Sequence, residues 1–318
     1  MTNFLRPLAL AAALISLPFT AHAEGWTPPG PIKLMIGFAA GGGADTQARL
    51  IAQGIEDKYG WKILPEQVTG NGGLNLAKQL EEEPADGTAI GMVVSETLTY
   101  SALSANQPDL TAKNFTLLAS TVAFQTGLVA MKGGDFDSWD KIKAAAEAGT
   151  PIRFGVATDR WADVAYLFGK SDGIDFNIVQ VKGGAGVMNG LRGGDIDLGW
   201  VAGAQGKPVQ QGEMVNVASA VSHKLADSPD APLITDLGSD YSLDGYFMFI
   251  APKGLEPEAR KALSDAIADV LNDPSTQAHA LVVKSFGGPA VLTGDALNDK
   301  LSKLMTESKD LLTAASAN

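Results

Sequence analysis

The 318-residue chain contains no cysteine, so disulfides, thiolate metal ligands and a cysteine nucleophile are excluded. Histidine is nearly as scarce. The three present are His22, His223 and His279, and none lies in an H-E-x-x-H spacing or beside a candidate nucleophile. The sequence also lacks the G-x-S-x-G motif of α/β hydrolases. We therefore expect a protein that is not an enzyme and that needs neither a metal nor another cofactor.

Basic residues are outnumbered, with 24 Lys and Arg against 36 Asp and Glu and a net charge of -12. This balance argues against nucleic acid and anionic membrane surfaces as partners. A small anionic ligand is still compatible with it, because helix N-termini and converging peptide N–H groups are locally positive whatever the global charge. The length and the 45% hydrophobic content suit one large domain or two ordinary ones.

Long apolar runs are absent except at the N-terminus, where Arg6 precedes "PLALAAALISLPF" and then "AHA". This pattern predicts a secretory signal peptide over residues 1–23, cleaved before Glu24. The alternative is a membrane anchor. It is disfavoured because the run is shorter than the roughly 20 residues that span a bilayer.

Strand and helix patterns alternate along the rest of the chain. "PIKLMIGF" reads as a strand and "ADTQARLIAQGIEDKYG" as a helix with one apolar face, and similar pairs follow, ending in the helix "GDALNDKLSKLMTESKDLLTA". The alternation predicts an α/β protein with parallel sheets covered on both faces.

Two glycine-rich loops stand between a strand and a helix, "FAAGGGAD" near residue 40 and "VKGGAGVMNG" near residue 185. Consecutive glycines let several N–H groups converge, and a helix start leaves its first donors without acceptors, so both loops favour an anion. We expect two lobes that aim these loops at one cleft. A tight turn without a ligand is the alternative.

Phosphate-binding motifs fit these loops poorly. A P-loop needs Lys and a hydroxyl residue, but Gly43 is followed by Ala44 and Asp45, and the match to G-x-G-x-x-G is weak. For Asp45 we expect helix capping, by bonds to the N–H groups of residues 47 or 48, rather than ligand contact.

At these residues the chain resembles the solute-binding proteins of tripartite tricarboxylate transporters, also called the Bug family. "PIKLMIGFAAGGGADTQARLIA" is similar to the family's strand, F-x-x-G-G-G-x-D loop and Ala-Arg-rich helix. "GNGGLNLAKQL", "PADGTAIGMVVS", "VQVKGGAGVMNGLRGGDIDLGW" and "IAPKGLEPEARKALSDAIADVL" match later family segments in the same order. The resemblance covers almost all of the chain after the signal.

The resemblance implies a monomeric, two-lobed periplasmic binding protein that closes around a carboxylate by hinge motion and delivers it to membrane permease subunits. The lobes are expected at 24–125 with 245–318, and at 126–244. The family's carboxylate-binding loops map to Phe38, Ala40, Gly41, Gly42, Gly43 and Asp45, and to Lys182, Gly183, Gly184 and Ala185. The chain departs from the family at Ala40, Val181 and Gly184, where Pro, Tyr and Ser are usual.

The second-lobe segment "VATDRWADVAY" is the most individual feature, since the family is rich in Gly and Ser there. Thr158 belongs to this segment. We expect Arg160 to grip a second carboxylate and Trp161 to stack on the ligand, with a solvated Arg and a core Trp as alternatives. Ser95 and Thr97 are expected at the cleft. Glu96 would repel a dianion, so it faces solvent or favours an amine or hydroxyl. Trp200 is a weaker candidate.

Three functions fit this sequence. The first is a periplasmic solute-binding protein for an organic carboxylate. The second is an extracytoplasmic ligand sensor for a signalling receptor, which would use the same pocket. The third is an exported α/β enzyme.

Overall fold

The computed structural model describes residues 25–317, so the predicted signal peptide lies outside the described residues. The described part contains ten strands: β1 Ile32–Ile36, β2 Ile63–Gln67, β3 Ala89–Val94, β4 Phe115–Ala123, β5 Thr126–Met131, β6 Ile152–Val156, β7 Phe176–Gln180, β8 Leu198–Ala202, β9 Met214–Ser219 and β10 Tyr246–Pro252. Short 3-10 helices include Asn71–Gly73 and Ser95–Leu98.

The same residues form ten α-helices: α1 Gly43–Tyr59, α2 Leu74–Glu81, α3 Tyr100–Ser104, α4 Trp139–Glu147, α5 Asp159–Ser171, α6 Gly183–Gly193, α7 Gly206–Gln210, α8 Pro257–Asn272, α9 Gln277–Phe286 and α10 Gly294–Ser316. The longer helices are amphipathic. In α1, for example, Ala48, Ile51, Ala52 and Ile55 are buried, and this spacing puts them on one helix face.

The strands make two five-stranded sheets. The first has the order β2-β1-β3-β10-β4 and the second the order β7-β6-β8-β5-β9. Each sheet packs against helices, and each has its own large hydrophobic core. The fold is therefore α/β and two-lobed.

The sheets are mixed, so the prediction of parallel sheets holds for only part of each sheet. β10 runs antiparallel to β3 and β4, and β5 runs antiparallel to β8 and β9. The cause is the way the chain changes lobes. A parallel neighbour needs a crossover of a dozen or more residues within its lobe. β5 and β10 instead enter their sheets directly from the other lobe.

Two connections join the lobes. Only Phe124 and Gln125 separate β4 from β5, and the chain returns through residues 220–245 before β10. The exact lobe limits stay a prediction. The last helix contacts both lobes, because Leu297 and Leu301 lie in a first-lobe core whereas Leu311 lies in the core of the second. Within residues 25–317, every helix is too short or too polar to cross a membrane.

Candidate ligand-binding cleft

A cleft of about 390 Å³ lies where the two sheets face each other. Its volume is in the range of small-molecule sites. The wall consists mainly of the residues that follow the carboxyl ends of the strands: 37–44 without residue 41 after β1, 69–73 after β2, 94 and 96 at the end of β3, 124 after β4, 157, 158 and 161 after β6, 181–185 after β7, and 202 and 204 at the end of β8. This is the edge at which open α/β sheets bind ligands.

The first glycine loop forms one wall of the cleft. Phe38, Ala40, Gly42 and Gly43 all line it. Gly42 is extended, with φ -76° and ψ 171°, and it is the residue before the first turn of α1, which no side chain caps. The N–H groups of Gly43 and Ala44 therefore have no acceptor within the helix, and they lie at the wall of the cleft beside the positive end of a 17-residue helix.

Asp45 and Gly41 hold this loop in shape but do not line the cleft. The Gly41 N–H donates to Oδ2 of Asp45 over 2.9 Å, and Oδ1 accepts from Arg49 Nε at 2.8 Å. The prediction that Asp45 bonds the N–H groups of residues 47 or 48 was wrong. Asp45 lies inside α1 rather than before it, so its carboxylate reaches back to the loop.

The second glycine loop faces the first across the cleft. Lys182, Gly183, Gly184 and Ala185 line it, and α6 begins at Gly183 without a side-chain cap. Gly183 has φ 68°, a conformation that favours glycine, and its N–H already donates to the Val181 carbonyl over 3.1 Å. The free donors of this helix start are thus those of Gly184 and Ala185.

A third loop at the cleft, residues 69–73, was not assigned to the site by our sequence reasoning, which only matched it to a family segment. Gly70, Asn71, Gly72 and Gly73 all line the cleft and all have positive φ, a conformation that favours glycine. The three glycines among the four residues of "GNGG" were the available signal. Thr97 supports this loop from behind, since its hydroxyl donates to the Gly72 carbonyl over 2.7 Å. Thr97 itself does not line the cleft.

Ser95 also lies behind the cleft wall, where its hydroxyl accepts the N–H of Tyr246 at 3.1 Å. Thr158 and Trp161 do line the cleft. Thr158 caps α5, because its hydroxyl accepts the N–H of Trp161 at 3.3 Å. Trp161 is only 6% exposed, and its indole Nε1 has no hydrogen-bond partner of acceptable geometry.

Glu96 is the buried acidic side chain of the cleft. It is 2% exposed, lines the cavity, and has Oε2 at 3.9 Å from Nη1 of Arg160. Its Oε1 has no hydrogen-bond partner of acceptable geometry. Burial raises the pKa of the Glu96 carboxyl, although the Arg160 charge and the nearby Thr158 and Trp161 oppose the rise. Of the two alternatives expected for Glu96, the solvent-facing one is therefore wrong, and a preference for a ligand with an amine or hydroxyl stays a prediction.

Arg160 does not reach the cleft wall. It is 4% exposed, and its guanidinium donates to the carbonyls of Asp244, at 2.8 Å, and Ser242, at 3.1 Å, in the connection between the lobes. These bonds and the contact with Glu96 occupy Nη1 and Nη2. The structure thus does not bring Arg160 to the place where it would grip a second carboxylate.

Trp200 is a core residue. It is fully buried among Phe154 and Phe168, and its indole N–H donates to the Trp161 carbonyl over 3.1 Å. It therefore supports Trp161 from behind and does not line the cleft.

Apolar side chains cover much of the remaining wall, namely Phe38, Val94, Phe124, Val181 and Phe247. Most of them stand at strand ends, where a sequence pattern cannot separate a core position from a cleft position. Lys182 is the basic side chain at the wall and Glu96 the acidic one. Among residues 25–317 no group of three or more His, Asp or Glu is arranged to hold a metal ion.

Comparison with known proteins identifies the relatives of this chain. Residues 47–291 match the family model described as "Tripartite tricarboxylate transporter family receptor". Among curated proteins, the "UPF0065 protein in the TAR-I ttuE-ttuC' intergenic region" of Agrobacterium vitis is 27% identical over 274 residues, which cover 85% of this chain and 79% of that protein.

Two solved structures show the same fold. The periplasmic binding protein BugD superposes with a TM-score of 0.78 at 20% identity, covering 91% of this chain and 99% of that one. MatC from Rhodopseudomonas palustris with bound malate superposes with a TM-score of 0.76 at 19% identity, covering 90% and 99%. Both are similar to this chain in architecture along almost their whole length.

Proposed function

This chain belongs to the tripartite tricarboxylate transporter receptor family, and from that premise we propose that it captures a small organic carboxylate in the periplasm and delivers it to the membrane permease of such a transporter. The single observation that carries the proposal is the pair of uncapped helix starts, at Gly43 in one lobe and Gly183 in the other, that line one cleft.

The chemistry of the cleft supports a carboxylate. Peptide N–H groups of the first turns of α1 and α6 donate to an anion without any side-chain charge, and both helix dipoles favour negative charge there. Lys182 adds one cation at the same wall. The bound malate of MatC indicates that a protein of this fold holds such an acid.

In this proposal the cleft binds its carboxylate ligand without converting it chemically. Its titratable side chains are Glu96 and Lys182, and neither is paired with a nucleophile. Opposite lobes supply the two anion-binding walls, so a bound acid would hold the lobes together, and hinge closure is the signal that a permease can recognise. We therefore propose that the cleft serves ligand capture and lobe closure and not catalysis.

A thermal-shift screen tests the proposal. The panel consists of mono-, di- and tricarboxylates, aromatic acids and acidic amino acids, each beside its neutral amide or methyl ester as a matched control. An acid present at 100 times its Kd stabilises the folded state by about 2.7 kcal/mol, which raises Tm by several degrees. Shifts for at least one acid and none for its neutral control support the proposal. Equal behaviour of every acid and its control would overturn it.

The transporter partner is tested separately. Tagged protein loaded with the best acid is mixed with detergent-solubilised membranes of its own cells, and unliganded protein serves as the control. The proposal predicts co-purification of permease subunits that increases with ligand. Recovery of a signalling receptor instead would favour a sensing role for the same cleft.

A further inference from the structure

Glu96 and Trp161 place a buried acceptor and a buried donor at the cleft wall, and neither atom has a well-formed hydrogen bond. Glu96 Oε1 and Trp161 Nε1 lack a partner of acceptable geometry among the described residues, although the Trp161 side chain lies close enough to the Glu96 carboxyl to lower its pKa. Both side chains line the cleft, and they come from opposite lobes, since Glu96 follows β3 and Trp161 lies in the first turn of α5. Unpaired buried polar atoms are costly, so such a pair in a binding site points to a ligand group that satisfies both.

The charges around this pair restrict that group. Arg160 lies 3.9 Å from Oε2 of Glu96, so the carboxylate is already compensated. The guanidinium in turn is fixed by the carbonyls of Ser242 and Asp244, and it cannot turn into the cleft without losing those bonds. A ligand group beside these two atoms therefore faces a carboxylate oxygen and an indole N–H, and the Arg160 guanidinium stays bonded to its carbonyls. Lys182 is the basic side chain of the cleft wall.

A carboxylate, an ammonium and a hydroxyl group of the ligand would interact differently with Glu96 Oε1 and Trp161 Nε1. A second carboxylate accepts from Trp161 but places a charge of the same sign beside Oε1 of Glu96. An ammonium donates to Glu96 but leaves the Trp161 N–H unpaired and approaches the Arg160 charge. A hydroxyl both donates and accepts, and it carries no charge. It is the one group of the three that satisfies both atoms.

We infer that Glu96 and Trp161 form a specificity subsite for a hydroxyl group, so that the ligand is a hydroxy-monocarboxylic acid rather than a dicarboxylic acid. The inference rests on the proposed function, in which the glycine loops hold the carboxylate. Between the two ends, Phe38, Phe124 and Phe247 offer an apolar wall to the ligand body. The subsite also explains the departure of the "TDRWAD" segment from a Gly- and Ser-rich pattern.

Calorimetry with matched ligands tests the inference. On a four-carbon skeleton the ligands are butyrate, γ-hydroxybutyrate, γ-aminobutyrate and succinate. On a six-carbon skeleton they are hexanoate, ω-hydroxyhexanoate, ω-aminohexanoate and adipate, and an aromatic set contains benzoate, para-hydroxybenzoate and terephthalate. In at least one set we expect the hydroxy acid to bind about 10-fold tighter than both the parent acid and the diacid, because a site built around a hydroxyl rejects analogues that leave its polar groups unpaired.

Two variants separate this subsite from the carboxylate site. Glu96→Gln removes the charge that repels a second carboxylate, so we expect the diacid of that set to gain about 10-fold in affinity, and the exposed Glu82→Gln is the matched control. Trp161→Phe keeps the Glu96–Arg160 pair and removes the indole donor. It should weaken the hydroxy acid about 10-fold and the parent acid less than about threefold.

The outcomes are distinguishable. If the diacid or the amino acid binds tightest in every set, or if Glu96→Gln leaves the order of ligands unchanged in a folded protein, the hydroxyl subsite is wrong while carboxylate capture stands. If Glu96→Gln does not fold, Trp161→Phe decides, and equal losses for the hydroxy acid and the parent acid overturn the inference. If no acid of these sets binds but another acid of the thermal-shift panel does, the inference is wrong while carboxylate capture stands. If no acid of either panel binds, the proposed function fails together with it.

Discussion

Glu96 of the first lobe and Arg160 of the second meet in the interior, with Oε2 of the carboxylate 3.9 Å from Nη1 of the guanidinium and both side chains at least 95% buried. Glu96 lines the cleft, whereas Arg160 lies behind it, because its guanidinium is bonded to carbonyls of the segment that connects the lobes. The two lobes are therefore linked by charge at the same place where the ligand is expected to bind.

Removal of the guanidinium should cost stability in a pH-dependent way. Arg160→Met leaves Glu96 buried without a counter-charge, and we expect a loss of about 3 kcal/mol in the free energy of unfolding at pH 7. Burial already raises the folded-state pKa of Glu96 above the ordinary 4.5, and the substitution raises it further. A raised carboxyl pKa means that stability falls as the pH rises through that range. The loss should therefore be smallest near pH 4.5 and grow toward neutral pH.

Urea unfolding at pH 4.5 and at pH 7.5 measures this difference. The exposed Lys261→Met is the control, since its pair with Asp265 is solvated and should change stability by less than about 0.5 kcal/mol. A loss in Arg160→Met that is independent of pH would contradict the assignment of the effect to the Glu96 charge.

The N–H group of Gly43 can be removed without moving the helix. Gly42 is extended, as the residue before a proline prefers, and Gly43 is the first helical position, where proline is well tolerated. We expect Gly43→Pro to weaken carboxylate binding about 10- to 100-fold, because it removes one hydrogen bond to a charged group.

Gly43→Ala is the matched control for that variant. Both substitutions add a Cβ close to the rings of Phe286, at 3.3 Å, and Phe247, at 3.6 Å, but alanine keeps the N–H. Calorimetry with the acid that gives the largest thermal shift compares the two. Equal affinities for the proline and alanine variants would remove the α1 donor from the site.

Thr97 should act on the cleft only through the loop that it supports. We expect Thr97→Val to lower the free energy of unfolding by about 1–2 kcal/mol, because the Gly72 carbonyl loses its partner. The exposed Thr306→Val removes a comparable hydroxyl bond within α10 and is the control. Urea unfolding of both variants gives the comparison, and equal small losses would show that the bond to Gly72 is dispensable.

The last helix should stabilise both lobes. Leu311 is 2% exposed in the second-lobe core, although its helix also packs on the first lobe. We expect Leu311→Ala to lower the free energy of unfolding by about 3 kcal/mol through the cavity that it leaves. Leu64→Ala, at a side chain 49% exposed, should cost less than about 1 kcal/mol. Similar unfolding midpoints for the two variants would contradict this role for α10.

Local patterns in the sequence were sufficient to predict the two lobes and the meeting of two glycine loops. Each glycine loop stands between a strand and a helix with one apolar face. The spacing of apolar residues in these elements can be recognised within a short stretch of sequence. The antiparallel strands β5 and β10 were not predicted, because their direction depends on which lobe the chain comes from and not on their own residues.

The side chains of the site were harder to predict than its backbone. Arg160 and Trp161 are neighbours in sequence, yet Trp161 lines the cleft while Arg160 turns toward the carbonyls of Ser242 and Asp244, more than 80 residues away. The partner of Glu96 is likewise set by the packing of two lobes. A sequence pattern contains no signal for such contacts. The ligand roles of the cleft residues stay predictions.

A crystal structure of the protein with its best-binding acid tests carboxylate capture by the two helix starts most directly. We expect carboxylate oxygens within about 3.1 Å of peptide nitrogens in the first turns of both α1 and α6. A carboxylate held by side chains alone, or bound outside the cleft with both helix starts facing only water, would contradict it.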